Sequence, residues 1–417
     1  MYNRTVLDNG IRVISEEITH VRSVSIGVWV QCGSRNEDLK TSGTAHFIEH
    51  MLFKGTENRT AFDIASAIDS VGGFMNAATG KELTSFYVKI PDYHLALALD
   101  LLADILKNPQ FDTAEIAKET AVVLQEISMV EDSPDDYIHE FFDAVFWDNH
   151  PLGRPVLGKR ETVEKFNRDS LLSFFKTRYR GNNLILTAAG NLKHDLLVDL
   201  VQRNFGSLAK EAVKEEITPP IVSSKEAILE KELEQVHIII GTLAPSATSP
   251  KRYPCFLMNA ILGGTMSSRL FQEIREKRGL AYAIHSYVIN YADTGMLGIY
   301  AGTGEDKVSD VVGLVIEVLQ GLCADLLTEK EMTSARELVK GNFLLGMEST
   351  DNRMMKLARD EICLKRYVPP EEVIAQIDAV GAEDIRTLSR ELFNPDIISL
   401  AAIGRISEKD CNLNSYL

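Results

Sequence analysis

The chain has 417 residues, 45% of them hydrophobic and 25% charged, with a formal net charge of −16. That length predicts two domains with full apolar cores, and the acidic balance excludes nucleic acid as a natural partner. No apolar run reaches the roughly 18 residues of a membrane-spanning helix, so no membrane span is expected.

The opening, MYNRTVLDNGIRVISEE, lacks the apolar core of a secretory signal and the Arg-rich pattern of a transit peptide. It leads through the turn in LDNGIRVI into a predicted strand. SVSIGVWVQCGS (residues 23–34) reads as a second strand, and HFIEHMLFKGT after it as an apolar helix. Residues 72–88, GGFMNAATGKELTSFYV, read as a turn followed by strand, and HLALALDLLADIL (94–106) as a buried helix. Asp112 and Glu115 then form a capping-box pattern that opens another helix, which carries ETAVVLQEISMVE (119–131). The acidic stretch EDSPDDYIHE (131–140) follows.

Residues 207–227, SLAKEAVKEEITPPIVSSKEA, are charged and then Pro-rich, as an interdomain linker would be. Beyond them the earlier pattern repeats. VHIIIGTLAPS (236–246) matches the strand at 23–34, and CFLMNAILGGT (255–265) matches HFIEHMLFKGT. GIYAGT matches SFYVKI, VVGLVIEVLQGL matches the helix at 94–106, and Thr328 with Glu331 repeats the capping pattern. The expectation is an α+β protein of two homologous domains, each a β-sheet flanked by helices: residues 1–208, a linker over 209–227, and residues 228–417.

The two copies differ in one respect. Aligning their GT turns sets Cys255, Met258 and Asn259 opposite His46, Glu49 and His50. Aligning the capping patterns sets Ala335 and Asn342 opposite Glu119 and Glu126. A requirement of the fold would have applied to both halves, so the polar cluster in the first points to chemistry.

Four residues make slightly more than one helical turn, so His46 and His50 share a face about 40° apart, with Glu49 about 60° from His46. A lone histidine in an apolar helix is ordinarily a satisfied core residue. Two histidines with a glutamate between them instead suit one zinc ion and a water within reach of Glu49. This is the HxxEH order of inverzincins. A third protein ligand is needed, and Glu119 and Glu126, two turns apart, are both candidates: one to bind metal, the other to support it by hydrogen bonding.

The segment GSRNEDLKTSGTAHFIEHMLFKGT resembles the zinc signature of pitrilysin/insulinase peptidases, especially their mitochondrial and bacterial processing-peptidase branch. The resemblance covers nearly the whole chain and implies a mitochondrial-processing-peptidase-like fold. It implies one zinc ion per chain, with His46, His50 and Glu126 as metal ligands and Glu119 as the supporting glutamate. Glu126 stands 76 residues beyond His50, the spacing of the family's third ligand. His139 is the rival ligand should Glu126 not serve.

The same resemblance makes Glu49 the general base and places Asn76 and Ala77 on a substrate-binding edge strand. It reads SSRLFQEIREKRGLAYAIHSY (267–287) as the segment that supplies Arg275 and Tyr282 to catalysis and substrate binding. Asp136 and Glu140 lie near positions that meet basic substrate residues. Family members form a four-domain clamshell, in one chain or two. A two-domain chain that carries both motifs is therefore expected to be a homodimer acting on extended, basic peptides, with a zinc-less homologue as the other partner the family uses.

A rival reading is a non-catalytic core or assembly subunit of the same fold. Such subunits typically lose motif residues, whereas His46, Glu49, His50 and Glu126 are all present. GTGEDK (302–307) lacks the third glycine of a dinucleotide loop, and no GxSxG elbow or P-loop occurs. The five cysteines, Cys32, Cys255, Cys323, Cys363 and Cys411, are odd in number and never in CxxC spacing. They fit a reducing compartment: the cytoplasm, or the mitochondrial matrix if a presequence has been removed.

Overall fold

The computed structural model describes residues 1–213, 217–406 and 413; Cys411, part of the expected linker and the end of the second expected domain lie outside them. Eleven strands are described: β1 (Tyr2–Val6), β2 (Arg12–Glu17), β3 (Ser23–Val30), β4 (Phe74–Thr79), β5 (Thr84–Pro91), β6 (Leu184–Gly190), β7 (Glu226–Glu230), β8 (Val236–Leu243), β9 (Ala281–Asn290), β10 (Gly295–Thr303) and β11 (Ser399–Gly404). They form two sheets, of order β1-β2-β6-β3-β5-β4 and β7-β11-β8-β10-β9.

Setting β1 aside, the two orders correspond strand for strand. The parallel pair β2–β6 answers the parallel pair β7–β11, and every other neighbour is antiparallel in both sheets. The internal repeat of the sequence is thus a repeat of topology. β4 and β9 hold the same edge position.

Each sheet is covered on both faces. In the first, Val24, Ile26, Val28, Phe86 and Val88 point into a core with Phe47, Ile48 and Met51 of the helix Thr44–Leu52 and Leu99 and Leu102 of the helix Leu95–Lys107. The opposite face, with Ile14, Ile185 and Ala189, packs against Met354 and Leu357 of the helix Thr350–Arg359. In the second sheet Ile238, Ile240, Leu297 and Ile299 face the helices Arg252–Leu262 and Val308–Ala324. Its other face, with Ile239, Met296 and Ile403, packs against Ile138, Phe142 and Phe146 of the helix Pro134–Phe146.

Contacts accordingly divide the chain into a first unit (1–129, 154–216 and 345–367) and a second (130–153, 217–344 and 368–417). Each half of the sequence lends one helix to the other half's sheet. A glycine in the central strand makes room for each. A Cβ on Gly27 of β3 would lie 2.5 Å from Met354 Sδ, and one on Gly241 of β8 would lie 2.5 Å from Phe142 Cζ. Among the described residues no single helix is long and apolar enough to cross a membrane.

Candidate functional site

The helix Thr44–Leu52 begins at Gly43, where φ is +93° and no side chain of the capping residue bonds the first turn. Glu37 does so from outside, its buried carboxylate accepting from the amides of Gly43 (2.7 Å) and Ala45 (2.6 Å). Two of the amides that a helix start leaves unpaired are thereby satisfied. Phe47, Ile48, Met51 and Leu52 are buried on one side of this helix, which leaves the polar face to His46, Glu49 and His50.

The helix Thr113–Asp132 brings two carboxylates to that face. His46 Nε2 lies 3.8 Å and His50 Nε2 3.7 Å from Oε2 of Glu126. One ligand atom from each of His46, His50 and Glu126 falls within 4.8 Å of the others. The imidazole rings meet edge to face, 4.6 Å apart and inclined at 60°. Neither His46 Nδ1 nor Glu126 Oε2, both buried, has a hydrogen-bond partner among the described residues.

Buried polar atoms without partners are costly. Glu126 Oε2 faces Nε2 of both histidines, and two imidazoles with one carboxylate form a donor set suited to zinc. Burial, reinforced by the neighbouring His50, pushes His46 down to about 4, which keeps its imidazole neutral as a ligand must be.

Glu119 is buried, and its Oε2 lies 3.0 Å from His50 Nδ1. A carboxylate only accepts, so Nδ1 carries the proton and Nε2 presents its lone pair toward Glu126. Lys54 Nζ, 2.7 Å from the other oxygen of Glu119, balances that charge. Glu49 takes a different partner: its Oε2 accepts a 2.5 Å hydrogen bond from Thr79 Oγ1 at the end of β4. Burial raises the Glu49 carboxyl, while Thr79 and His50 favour the carboxylate.

Asn76 and Ala77 lie in β4, an edge strand, paired with Tyr87 and Phe86 of β5. Arg275 lies in a π-helical turn, Phe271–Glu276, with its guanidinium 4.8 Å from the Phe271 ring centroid and 5.5 Å from that of Tyr282. Tyr282 is on β9, 76% exposed. The two residues adjoin each other within the second unit. Asp136 accepts from Ser133 Oγ at the start of the helix Pro134–Phe146. Glu140 is on that helix too, and so is His139, whose Nδ1 lies 3.0 Å from the Tyr287 hydroxyl in the second unit.

Among the described residues the second half has no equivalent of the metal-binding group. Cys255, Met258 and Ala335, aligned with His46, Glu49 and Glu119, are buried apolar residues. Sequence reasoning passed over Lys54, Thr79 and Glu37. Lys54 stands four residues after His50, a spacing that would have marked it. Thr79 and Glu37 reach the helix only through tertiary packing.

Residues 12–160 match the family model described as Insulinase (Peptidase family M16), and residues 165–339 match Peptidase M16 inactive domain. The chain is 39% identical to "Uncharacterized zinc protease YmxG" of Bacillus subtilis, over 95% of this chain and 97% of that one. It is 38% identical to an "Uncharacterized zinc protease" of Rickettsia felis, over 97% of each. A solved protease from Helicobacter pylori shares the fold at a TM-score of 0.90 and 21% identity, over 97% of this chain and 99% of that one. The structure titled peptidase M16 inactive domain, from Pseudomonas fluorescens, does so at 0.91 and 19%, over 97% and 98%.

Proposed function

The chain belongs to the insulinase (M16) peptidase family, and from that premise we propose that it is a zinc metalloendopeptidase that cuts extended, unfolded peptides. The observation that carries this reading is the convergence of His46, His50 and Glu126 on one point, with Glu49 on the same helix face.

Zinc held by those three residues would supply a Lewis acid that polarises the scissile carbonyl and lowers the pKa of a water. The protein's own groups do the rest. Glu49 has one oxygen committed to Thr79, which leaves the other to take the water proton and pass it to the leaving amine. Glu119 fixes the His50 tautomer. A peptide adds to the free edge of β4, its backbone bonding at Asn76 and Ala77 and its side chains alternating outward. Tyr282 and Arg275 donate hydrogen bonds to the oxyanion or the adjacent backbone, a role that rests on the family resemblance. The acting form in this proposal is a homodimer.

The test is cleavage of a fluorogenic peptide by purified protein, with zinc content measured on the same sample. Chelation should stop cleavage and zinc should restore it. Glu49→Gln should retain zinc and lose turnover, whereas His46→Ala, His50→Ala and Glu126→Gln should lose zinc. Cleavage that survives complete removal of metal would overturn the proposal.

A further inference from the structure

We infer that Thr79 is a positioning residue for Glu49, tying the base to the strand that receives the peptide; the inference rests on the peptidase reading above. The hydroxyl of Thr79 faces the carboxylate and donates to Glu49 Oε2 at 2.5 Å. Glu49 shares its helix face with His46 and His50, so its rotamer decides whether its remaining oxygen points toward the point they share or away from it.

The strand that carries Thr79 is itself braced. Thr79 pairs with Thr84 across β4 and β5, and the buried Thr84 hydroxyl donates to the Cys32 carbonyl at 2.9 Å. The turn that follows is closed by the Gly80 amide on the Leu83 carbonyl. The Ser34 and Arg35 amides bond to its Gly80 and Lys81 carbonyls, at 3.1 and 2.7 Å. Residues 34 and 35 open the same segment whose Glu37 holds the start of the helix Thr44–Leu52. Strand end and helix start thus share one support.

Side chains alternate along a strand, so Thr79, Ala77 and Met75 turn to one side while Asn76 and Ala78 turn to the other. A peptide added at Asn76 and Ala77 lies two to three residues from Thr79 on a single strand. Its register is therefore set relative to the residue that orients the base. Productive placement of the scissile bond and productive placement of the proton acceptor become one geometric condition.

Thr79→Val keeps the shape and the backbone N–H and removes only the hydroxyl; Thr79→Ser keeps the hydroxyl. Both are measured for kcat and KM on one fluorogenic peptide, for zinc affinity by chelator competition, and for thermal stability. General-base catalysis contributes about 10²–10⁴-fold. Losing its orientation should lower kcat about 10- to 100-fold in Thr79→Val, with KM, zinc affinity and melting temperature close to wild type. Thr79→Ser should recover most of the turnover. A Thr79→Val enzyme with near-normal kcat would overturn the inference. So would a Thr79→Ser enzyme as impaired as Thr79→Val, since the loss would then lie in methyl packing, and so would a kcat loss explained by lost zinc. A wild-type protein that shows no zinc-dependent cleavage removes the peptidase reading and this inference with it, whereas an active wild type beside an equally active Thr79→Val removes the inference alone.

Discussion

Glu119 Oε2 and His50 Nδ1 stand 3.0 Å apart, and the other oxygen of Glu119 is held by Lys54 at 2.7 Å. The carboxylate therefore chooses the His50 tautomer and aims Nε2 at Glu126 while its own charge is balanced.

Glu119→Gln should weaken zinc binding about 10- to 100-fold, the usual cost of losing an outer partner of a metal-bound histidine. Lys54→Met should act in the same direction and more weakly. Competition against a chromophoric chelator measures both. Unaltered zinc affinity in Glu119→Gln would reduce Glu119 to a packing role.

Tyr282 is exposed on an edge strand with Arg275 against its ring, so removing its hydroxyl disturbs no core. A purely structural residue of this kind would shift stability by no more than about 0.5 kcal/mol. As an oxyanion donor it should matter far more to turnover, and Tyr282→Phe should lower kcat about 10²–10³-fold with zinc content intact. Near-normal turnover would remove Tyr282 from the chemistry.

Three histidines gather around Tyr300 in the second unit. His237 Nδ1 is 2.9 Å from its hydroxyl, and the rings of His139 and His285 lie 5.9 and 5.2 Å away. Burial holds all three below the ordinary histidine range, while Asp135 opposes the shift at His139 and His237 and Asp136 opposes it at His139. With folded values below the unfolded value of about 6.5, the unfolded chain takes up protons first as pH falls. The stability these groups contribute is complete above about pH 6.5 and is lost as pH drops through their folded values. His139→Gln should flatten the fall in melting temperature between about pH 7.5 and 5.5. Identical slopes in variant and wild type would exclude the cluster as the cause; His46 and His194, lowered in both proteins, cancel in the comparison.

Gly27→Ala and Gly241→Ala should each destabilise the fold by about 1–3 kcal/mol, the range for overpacking a tight core. The new methyl would meet Met354 in one case and Phe142 in the other. Pairing Gly27→Ala with Met354→Ala tests the cause, since the double variant should cost less than the sum of the two changes. Denaturant midpoints that simply add would show that these positions do not touch as described.

The repeated pattern of strands and helices was legible because hydrophobic periodicity is local and both halves carry it. The shared face of His46, Glu49 and His50 was legible for the same reason, as it follows from helical pitch alone. Glu126 reaches that face by the packing of a second helix, which no spacing within one helix determines; the resemblance of the segment to a known signature named it. Thr79 lies on a strand 30 residues from Glu49, with no pattern to connect them. The helices Pro134–Phe146 and Thr350–Arg359 went unread: the first stood in the sequence only as the acidic stretch EDSPDDYIHE, and nothing marked the second. Which sheet each covers is set by tertiary packing, which no local pattern states. The glycines at 27 and 241 were the one trace left in sequence, since glycine in a strand interior marks close approach.

That each sheet borrows a helix from the other half of the chain bears on how the protein is made. Ile14, Ile18 and Ile185 are in place once residue 190 has been synthesised, yet Met354 and Leu357, which cover them, come more than 150 residues later. A nascent first half must therefore carry an uncovered apolar sheet face while more than 150 further residues are made, the condition under which intermediates aggregate. Residues 1–213 expressed alone would keep that face bare for good. Separating the halves at the linker would leave each sheet without its borrowed helix, so no cut there yields a half that completes its own sheet.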